Sequence, residues 1–184
     1  MELRSFIAGT GLGVVLLLAA CGSGPIPEGE ADFRSCRGFL TLDEIKMFLG
    51  KPHIVFRAAE VTQQVQVQNA DIVEACVVGF ETNNRGASIQ MAAYKFSSEL
   101  AAADGLLAVS AIVDEVGRGE TQFDTFGPDS YQLDLNRQGV GGVAGFKQGR
   151  HLIELRSKVA EGENPIADIE VLVTLAQVIQ DRLP

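Results

Sequence analysis

The chain has 184 residues, 46% of them hydrophobic, and a formal net charge of −9. This length suits a single domain with a real hydrophobic core. Its basic residues are scattered and form no patch or stripe, so the chain lacks the cationic surface that a nucleic-acid backbone requires.

The first 20 residues have the parts of a secretory signal peptide. The N-terminus carries Arg4, an apolar stretch covers residues 6–18, and small residues follow it. The segment Leu18-Ala19-Ala20-Cys21 resembles the lipobox of bacterial lipoproteins, which are cleaved before the cysteine and lipidated on its sulfur. We therefore predict a signal peptide over 1–20 and an anchor of diacylglycerol and fatty acyl chains, such as palmitate, on Cys21.

Two other interpretations of this segment remain open. One is an ordinary signal peptide with a chance cysteine at the cleavage site, and the other is a retained membrane helix. The apolar stretch is shorter than the roughly 20 residues that span a bilayer, and Gly11 and Gly13 interrupt it. The lipoprotein interpretation is therefore favoured.

The mature chain is predicted to begin with a flexible tether over 21–32, which is rich in glycine, proline and acidic residues. A single domain follows over 33–184. With Cys21 lipidated, Cys36 and Cys76 remain in an oxidising compartment, where a disulfide is the default.

The first predicted helix begins at Thr41, which forms a Thr-x-x-Glu capping box with Glu44. Gly50 and Pro52 end this helix. Residues 83–86 have turn chemistry and predict a hairpin between the second and third of three strands. The three strands are predicted over 61–68, 72–80 and 88–96.

A long helix is predicted over 97–116, capped by Ser97 or Ser98. Its predicted apolar face is traced by Leu100, Ala103, Leu107, Ala111 and Asp114. An extended segment over 121–126 precedes strands over 131–135, 139–147 and 150–158.

The last helix is predicted to start at Asn164, with Pro165 in its first turn. Its apolar stripe comprises Ile166, Ile169, Val173, Ala176, Ile179 and Leu183. The element order α-βββα-βββα predicts an α+β domain with an antiparallel sheet and helices packed on one face.

The sequence predicts no catalytic residue, metal ligand or cofactor-binding residue. His53 and His151 have no ligand-spaced partner and are interpreted as surface or edge residues. The glycine run over 139–145 lacks the lysine and hydroxyl residue of a phosphate loop, and it is interpreted as a hairpin or bulge with special backbone needs. Two further sets are interpreted as solvated carboxylates and core aromatics: Asp124, Asp129 and Asp134, and Phe123, Phe126, Tyr131 and Phe146.

Several short motifs resemble small disulfide-containing lipoproteins of unknown function from actinobacteria. These proteins open with a cysteine and a Leu-Thr-x-x-Glu helix, which Cys36 and residues 40–44 match. Their second cysteine, mid-chain glycine turn and closing helix match Cys76, residues 139–144 and residues 175–183. The chain lacks the tryptophan of the usual Cys-Ser-Trp run, and Gly142 occupies an aspartate position. The resemblance implies a bridge between the two cysteines and an α+β fold, and it brings no catalytic residues.

The function that follows is a membrane-anchored, extracytoplasmic lipoprotein with a non-catalytic interaction or accessory-subunit domain. Its expected partners are the membrane, through the lipid on Cys21, and a protein in a membrane complex, without nucleic acid. The location is the cell membrane or the outer membrane. The alternative is a carrier of a small molecule or lipid, with a cavity between sheet and helices. No enzyme activity is predicted.

Overall fold

The structure is a computed structural model that describes residues 31–49, 54–82, 87–135, 140–159 and 168–183. The predicted signal peptide, Cys21 and almost all of the predicted tether lie outside these residues. None of the described helices is both long enough and apolar enough to cross a bilayer.

The described chain forms four helices and seven strands. In chain order they are α1 (Leu42–Leu49), β1 (Ile54–Glu60), α2 (Thr62–Gln66), β2 (Ile72–Thr82), β3 (Ala87–Phe96), α3 (Glu99–Gly117), β4 (Gln122–Phe123), β5 (Ser130–Leu133), β6 (Val140–Gln148), β7 (His151–Val159) and α4 (Ile169–Gln180).

The seven strands form one sheet in the order β1-β2-β3-β7-β6-β5-β4, and every neighbouring pair is antiparallel. Strands that follow one another in sequence pair with each other, except for β3 and β4. Strand β3 instead pairs with β7 and joins the two halves through a long register from Ala87↔Val159 to Lys95↔His151. The predicted α+β class with an antiparallel sheet is confirmed. The turn predicted over 83–86 lies outside the described residues, but the strands on either side of it pair as expected.

Helices cover both faces of the sheet, because the central strands place apolar side chains alternately on each face. One face carries Cys76, Met91 and Ile153 beneath α1, α4 and the segment 31–40. The opposite face carries Leu152 and other apolar residues beneath α2 and α3. The prediction of helices on one face is therefore corrected to two helices on each.

The strand predicted over 61–68 is replaced by helix α2, and the first strand lies just before it. The hydroxyl group of Thr62 accepts a hydrogen bond from the backbone N–H of Ala75 at 2.9 Å, and the Gln66 amide donates to the backbone oxygen of Ile72 at 2.7 Å. These bonds attach α2 to β2 through side chains. Val67, part of the alternation that predicted a strand, is 88% exposed, so the alternation did not mark a buried face.

Local helix signals are confirmed where the structure describes them. The capping box of α1 is present, since the Thr41 backbone N–H donates to the Glu44 carboxylate at 2.7 Å and the Glu44 N–H donates to the Thr41 hydroxyl at 3.3 Å. Ser98 caps α3. Asp168 caps α4, whereas Asn164 and Pro165 lie outside the described residues. The buried residues of α4 are Leu172, Leu175, Ala176 and Ile179, of which only the last two belong to the predicted stripe; Ile169 and Val173 are half-buried.

A disulfide joins Cys36 to Cys76, as predicted, with the two Cα atoms 5.5 Å apart. Both cysteines are buried. The bridge ties the segment before α1 to the middle of β2. At the other end of the chain Arg182 pairs with Glu44 and donates to the backbone oxygen of Phe39 at 2.8 Å, so the C-terminus closes over the same segment.

Candidate functional site

Small residues allow helix α3 to pack closely against the sheet. A Cβ atom added to Gly105 would lie 2.6 Å from the ring of Phe96, and one added to Gly117 would lie 2.6 Å from a methyl group of Leu133. Both distances are below any normal contact, so the helix lies against the sheet without room for a methyl group at either glycine. Its buried residues are Ala102, Gly105, Ser110, Val113 and Gly117.

Most of the predicted apolar face of α3 points outward, which corrects the sequence-based assignment. Its other two members, Ala103 and Asp114, are half-buried. Leu100 is 73% exposed and Leu107 is 67% exposed, and Ala111 is exposed beside them. These three residues share one side of the helix because they recur at intervals of three to four residues or multiples of them. Ile112 and Val116 are also exposed apolar residues, but they lie on a different side of the helix, about 100° and 140° around the axis from Ala111. Helix α3 is thus apolar toward the sheet and apolar toward solvent.

The only charges on α3 are negative. Its four charged residues are Glu99, Asp104, Asp114 and Glu115, and the helix contains no lysine or arginine. Asp104 and Glu115 are exposed and lie on the same side as Leu107. We call this outer side of α3 (Leu100, Asp104, Leu107, Ala111 and Glu115) the acidic-apolar face. It is the candidate functional site.

A buried polar network lies on the face of the sheet that α3 covers. It was not predicted from the sequence. The Tyr131 hydroxyl donates to the Glu154 carboxylate at 2.7 Å, and Arg156 donates to the other oxygen of that carboxylate. Glu154 is only 7% exposed. Burial, and then the charge of Glu154, raises the pKa of Tyr131 well above its ordinary value, and the same causes raise the pKa of Tyr94 to about 12. The hydroxyl of Tyr131 therefore remains protonated and donates a charge-assisted hydrogen bond to a carboxylate that is also paired with Arg156.

The glycine strand makes this network possible. Tyr131 pairs with Gly145, and Gly145 pairs with Glu154, so the tyrosine ring must cross Gly145 to reach the carboxylate. A Cβ atom at Gly145 would lie 2.4 Å from the ring. The register also shifts between Val140 and Gly142, as a bulge requires. The glycine run was interpreted as a hairpin or bulge whose backbone requires glycine. This interpretation is confirmed for the described part of the run, which belongs to β6.

His151 was predicted to be a surface or edge residue and is instead buried at the start of β7. Its ring stacks on Phe33 with centroids 4.6 Å apart, and its Nδ1 atom is buried without a hydrogen-bond partner among the described residues. Burial, then the positive charges of Lys95 and Arg150, lowers the pKa of His151, and Glu74 opposes this only in part. His53 lies outside the described residues.

We expect His151 to make the fold less stable at mildly acidic pH. In the unfolded chain a histidine takes up a proton near pH 6.5, while the buried ring resists protonation, so the unfolding free energy should fall as the pH drops from about 7 to 5. Urea denaturation at both pH values tests this. His151→Phe keeps a ring against Phe33 and should make the dependence shallower. An unchanged dependence in the variant would contradict the assignment.

The other predicted residues are not gathered into a site. Asp124 accepts from the backbone of Asp129 at 3.0 Å, and Asp129 pairs with Lys147 at 3.0 Å, so both stabilise the turn before β5. Phe123 was interpreted as a core residue and is instead exposed, at 53%, whereas the aromatic residues Phe126, Tyr131 and Phe146 are buried core residues as predicted. No group of three potential metal ligands occurs within the described ranges.

One open cleft of about 430 Å³ lies near the β4 edge of the sheet. It is lined by Glu120, Gln122, Gln132, Asp134 and Ile169. The Gln132 side-chain amide donates to that of Gln122 at 2.8 Å across its wall. Its lining is mostly polar and differs from the dry apolar cavity that a lipid carrier needs.

Comparison with known proteins supports the fold and leaves the family open. No family model and no curated protein matches the chain. Among solved structures, the chain is similar to the extracellular domain of PknH from Mycobacterium tuberculosis, with a TM-score of 0.55 and 9% identity over 87% of this chain and 97% of that chain. The two chains therefore share a fold across almost their whole length.

Proposed function

We propose that the mature chain is a membrane-anchored extracytoplasmic lipoprotein whose domain is a non-catalytic interaction module or accessory subunit. The observation that carries this proposal is the acidic-apolar face, because exposed apolar patches rimmed by polar residues are characteristic of protein interaction sites. Three features support a location outside the cytoplasm. They are the lipobox at Cys21, the Cys36–Cys76 bridge and the fold shared with an extracellular domain.

A carrier function is less well supported. A carrier needs a cavity between the sheet and the helices. Helix α3 instead packs on Phe96 and Leu133 without space for an added methyl group. The buried face of α4 is likewise filled by leucine and isoleucine side chains with 0% exposure. Within the described residues, the sheet-to-helix contacts are those of a packed core.

The anchor is tested at Cys21. We expect Cys21→Ala to abolish incorporation of labelled palmitate, and we expect chains cleaved after Ala20 to leave the membrane fraction. Intact mass measurement separates cleaved from uncleaved chains. Cys36→Ala serves as the control, because it removes a cysteine and leaves the lipobox intact. Label retained by Cys21→Ala, or cleaved chains that stay with the membrane, would show that the lipid assignment is wrong.

The interaction function is tested by mass spectrometry of the unmodified protein after gentle extraction from its native membrane. A stoichiometric protein partner supports the proposed module. A lone chain that carries a small apolar molecule would instead establish the carrier function.

A further inference from the structure

The occupant of the acidic-apolar face can be inferred from its charges. Apolar residues Leu100, Leu107 and Ala111 form the centre of the face, and Asp104 and Glu115 lie along one edge of it. The two carboxylates are eleven residues apart, which corresponds to about 16 Å along the helix axis. An occupant that buries the apolar centre must also satisfy these two negative charges.

A second copy of the chain cannot supply the missing cations from the same helix. In an antiparallel pair of α3 helices centred near Leu107, Asp104 would face Ala111 and Glu115 would face Leu100 of the other copy. In a parallel pair each carboxylate would face its own equivalent. Both arrangements leave the carboxylates without a facing cation. Helix α3 contains no lysine or arginine, and Arg118, which follows it, would face Ser97 in the antiparallel pair and its own equivalent in the parallel pair.

A membrane surface is also a poor match for this face. Helices that lie in the membrane interface carry lysine and arginine on their polar side. The carboxylates of α3 would be repelled by anionic lipid headgroups. The net charge of −9 adds to this repulsion.

We propose that the acidic-apolar face binds a cationic amphipathic helix of a partner protein, an inference that rests on the proposed interaction function. Leu100 and Leu107 receive the apolar anchors of that helix, which recur at intervals of three, four or seven residues. Asp104 and Glu115 pair with lysine or arginine side chains placed about eleven residues apart on the partner. Charge complementarity of this kind selects the partner and sets the register of the two helices.

The experiment is photocrosslinking in the native host with the full-length chain. A photoreactive side chain replaces Ala108, which is exposed and adjoins the face without belonging to its apolar centre. The control chain carries the same group at Gln177, which is exposed on α4. Both are repeated with the double charge reversal Asp104→Lys and Glu115→Lys. The matched reversal Glu170→Lys and Asp181→Lys places two lysines with the same spacing along α4 and at its C-terminus.

We expect the Ala108 position to crosslink to another protein, at a segment with an amphipathic pattern that contains lysine or arginine. The Asp104 and Glu115 reversal should lower the adduct yield roughly tenfold or more, and the α4 reversal should leave it unchanged. Both altered chains should keep their thermal stability, because all four acidic residues are exposed.

Four results would overturn the inference. They are an adduct with a second copy of the chain, an adduct with lipid, a yield no higher than that from Gln177, and a yield that survives the reversal of Asp104 and Glu115. Co-purification measured in parallel separates this inference from the proposed function. A stoichiometric partner that stays bound to the charge-reversed chain contradicts the α3 assignment alone, whereas the absence of any partner from the unmodified chain contradicts both.

Discussion

Loss of the Cys36–Cys76 bridge is expected to lower the free energy of unfolding by about 4 kcal/mol. The bridge closes a loop with a sequence separation of 40, and the chain-entropy model assigns this value to a loop of that length. For a domain of this size the change corresponds to a fall in Tm of roughly 8–16 °C. Cys36 also has a left-handed backbone, with φ of 55°.

This expectation is checked by urea denaturation of the Cys36→Ala/Cys76→Ala chain in a Cys21→Ala background, which removes the third thiol. The control is the Cys21→Ala chain with and without reductant, because reduction breaks the S–S bond and leaves both cysteine side chains in place. If reductant leaves the midpoint unchanged and peptide mapping finds both thiols free, then the bridge does not form.

Gly145→Ala is expected to destabilise the fold by about 3 kcal/mol. The added methyl group would meet the ring of Tyr131 at 2.4 Å, and that ring is fully buried and bonded to Glu154. The ring of Tyr131 must shift to make room for the methyl group. The cost combines overpacking of the core with weakening of the hydrogen bond from Tyr131 to a buried carboxylate.

The matched control is Gly79→Ala, since Gly79 is also a strand glycine and a Cβ atom there would meet nothing within 4 Å. We expect Gly79→Ala to be neutral or to stabilise the fold by about 0.5 kcal/mol, because alanine costs less chain entropy than glycine. Gly145→Ala should cost much less in a Tyr131→Ala background, as a double-mutant cycle would show. Equal effects of the two glycine substitutions would contradict the account.

Features that depend on neighbouring residues were predictable from the sequence. The capping box of α1, the cap at Ser98 and the strands β2, β3, β5, β6 and β7 each follow from residue types within a few positions of one another. The disulfide followed from elimination among three cysteines in a chain predicted to be secreted. The α+β class followed from the order of these local elements.

The buried network could have been suspected, but not assembled, from the sequence. Glu154 and Arg156 interrupt the apolar strand β7 on the same side as Leu152, which is an unusual placement for two charges. Their partner Tyr131 lies more than 20 residues earlier, and only the order β7-β6-β5 places it one strand beyond Gly145. Residue spacing does not encode which strands become neighbours.

The orientation of α3 shows most clearly what the tertiary structure decided. The sequence predicted a helix over 97–116 with apolar residues at helical spacing, and it determined the absence of positive charge along α3. It did not determine which side meets the sheet, because both sides are apolar. Close packing favours the side where Gly105 and Gly117 let Phe96 and Leu133 approach, and this leaves Leu100 and Leu107 in solvent. The candidate interaction face thus exists because small residues, rather than the larger apolar ones, seat the helix on the sheet.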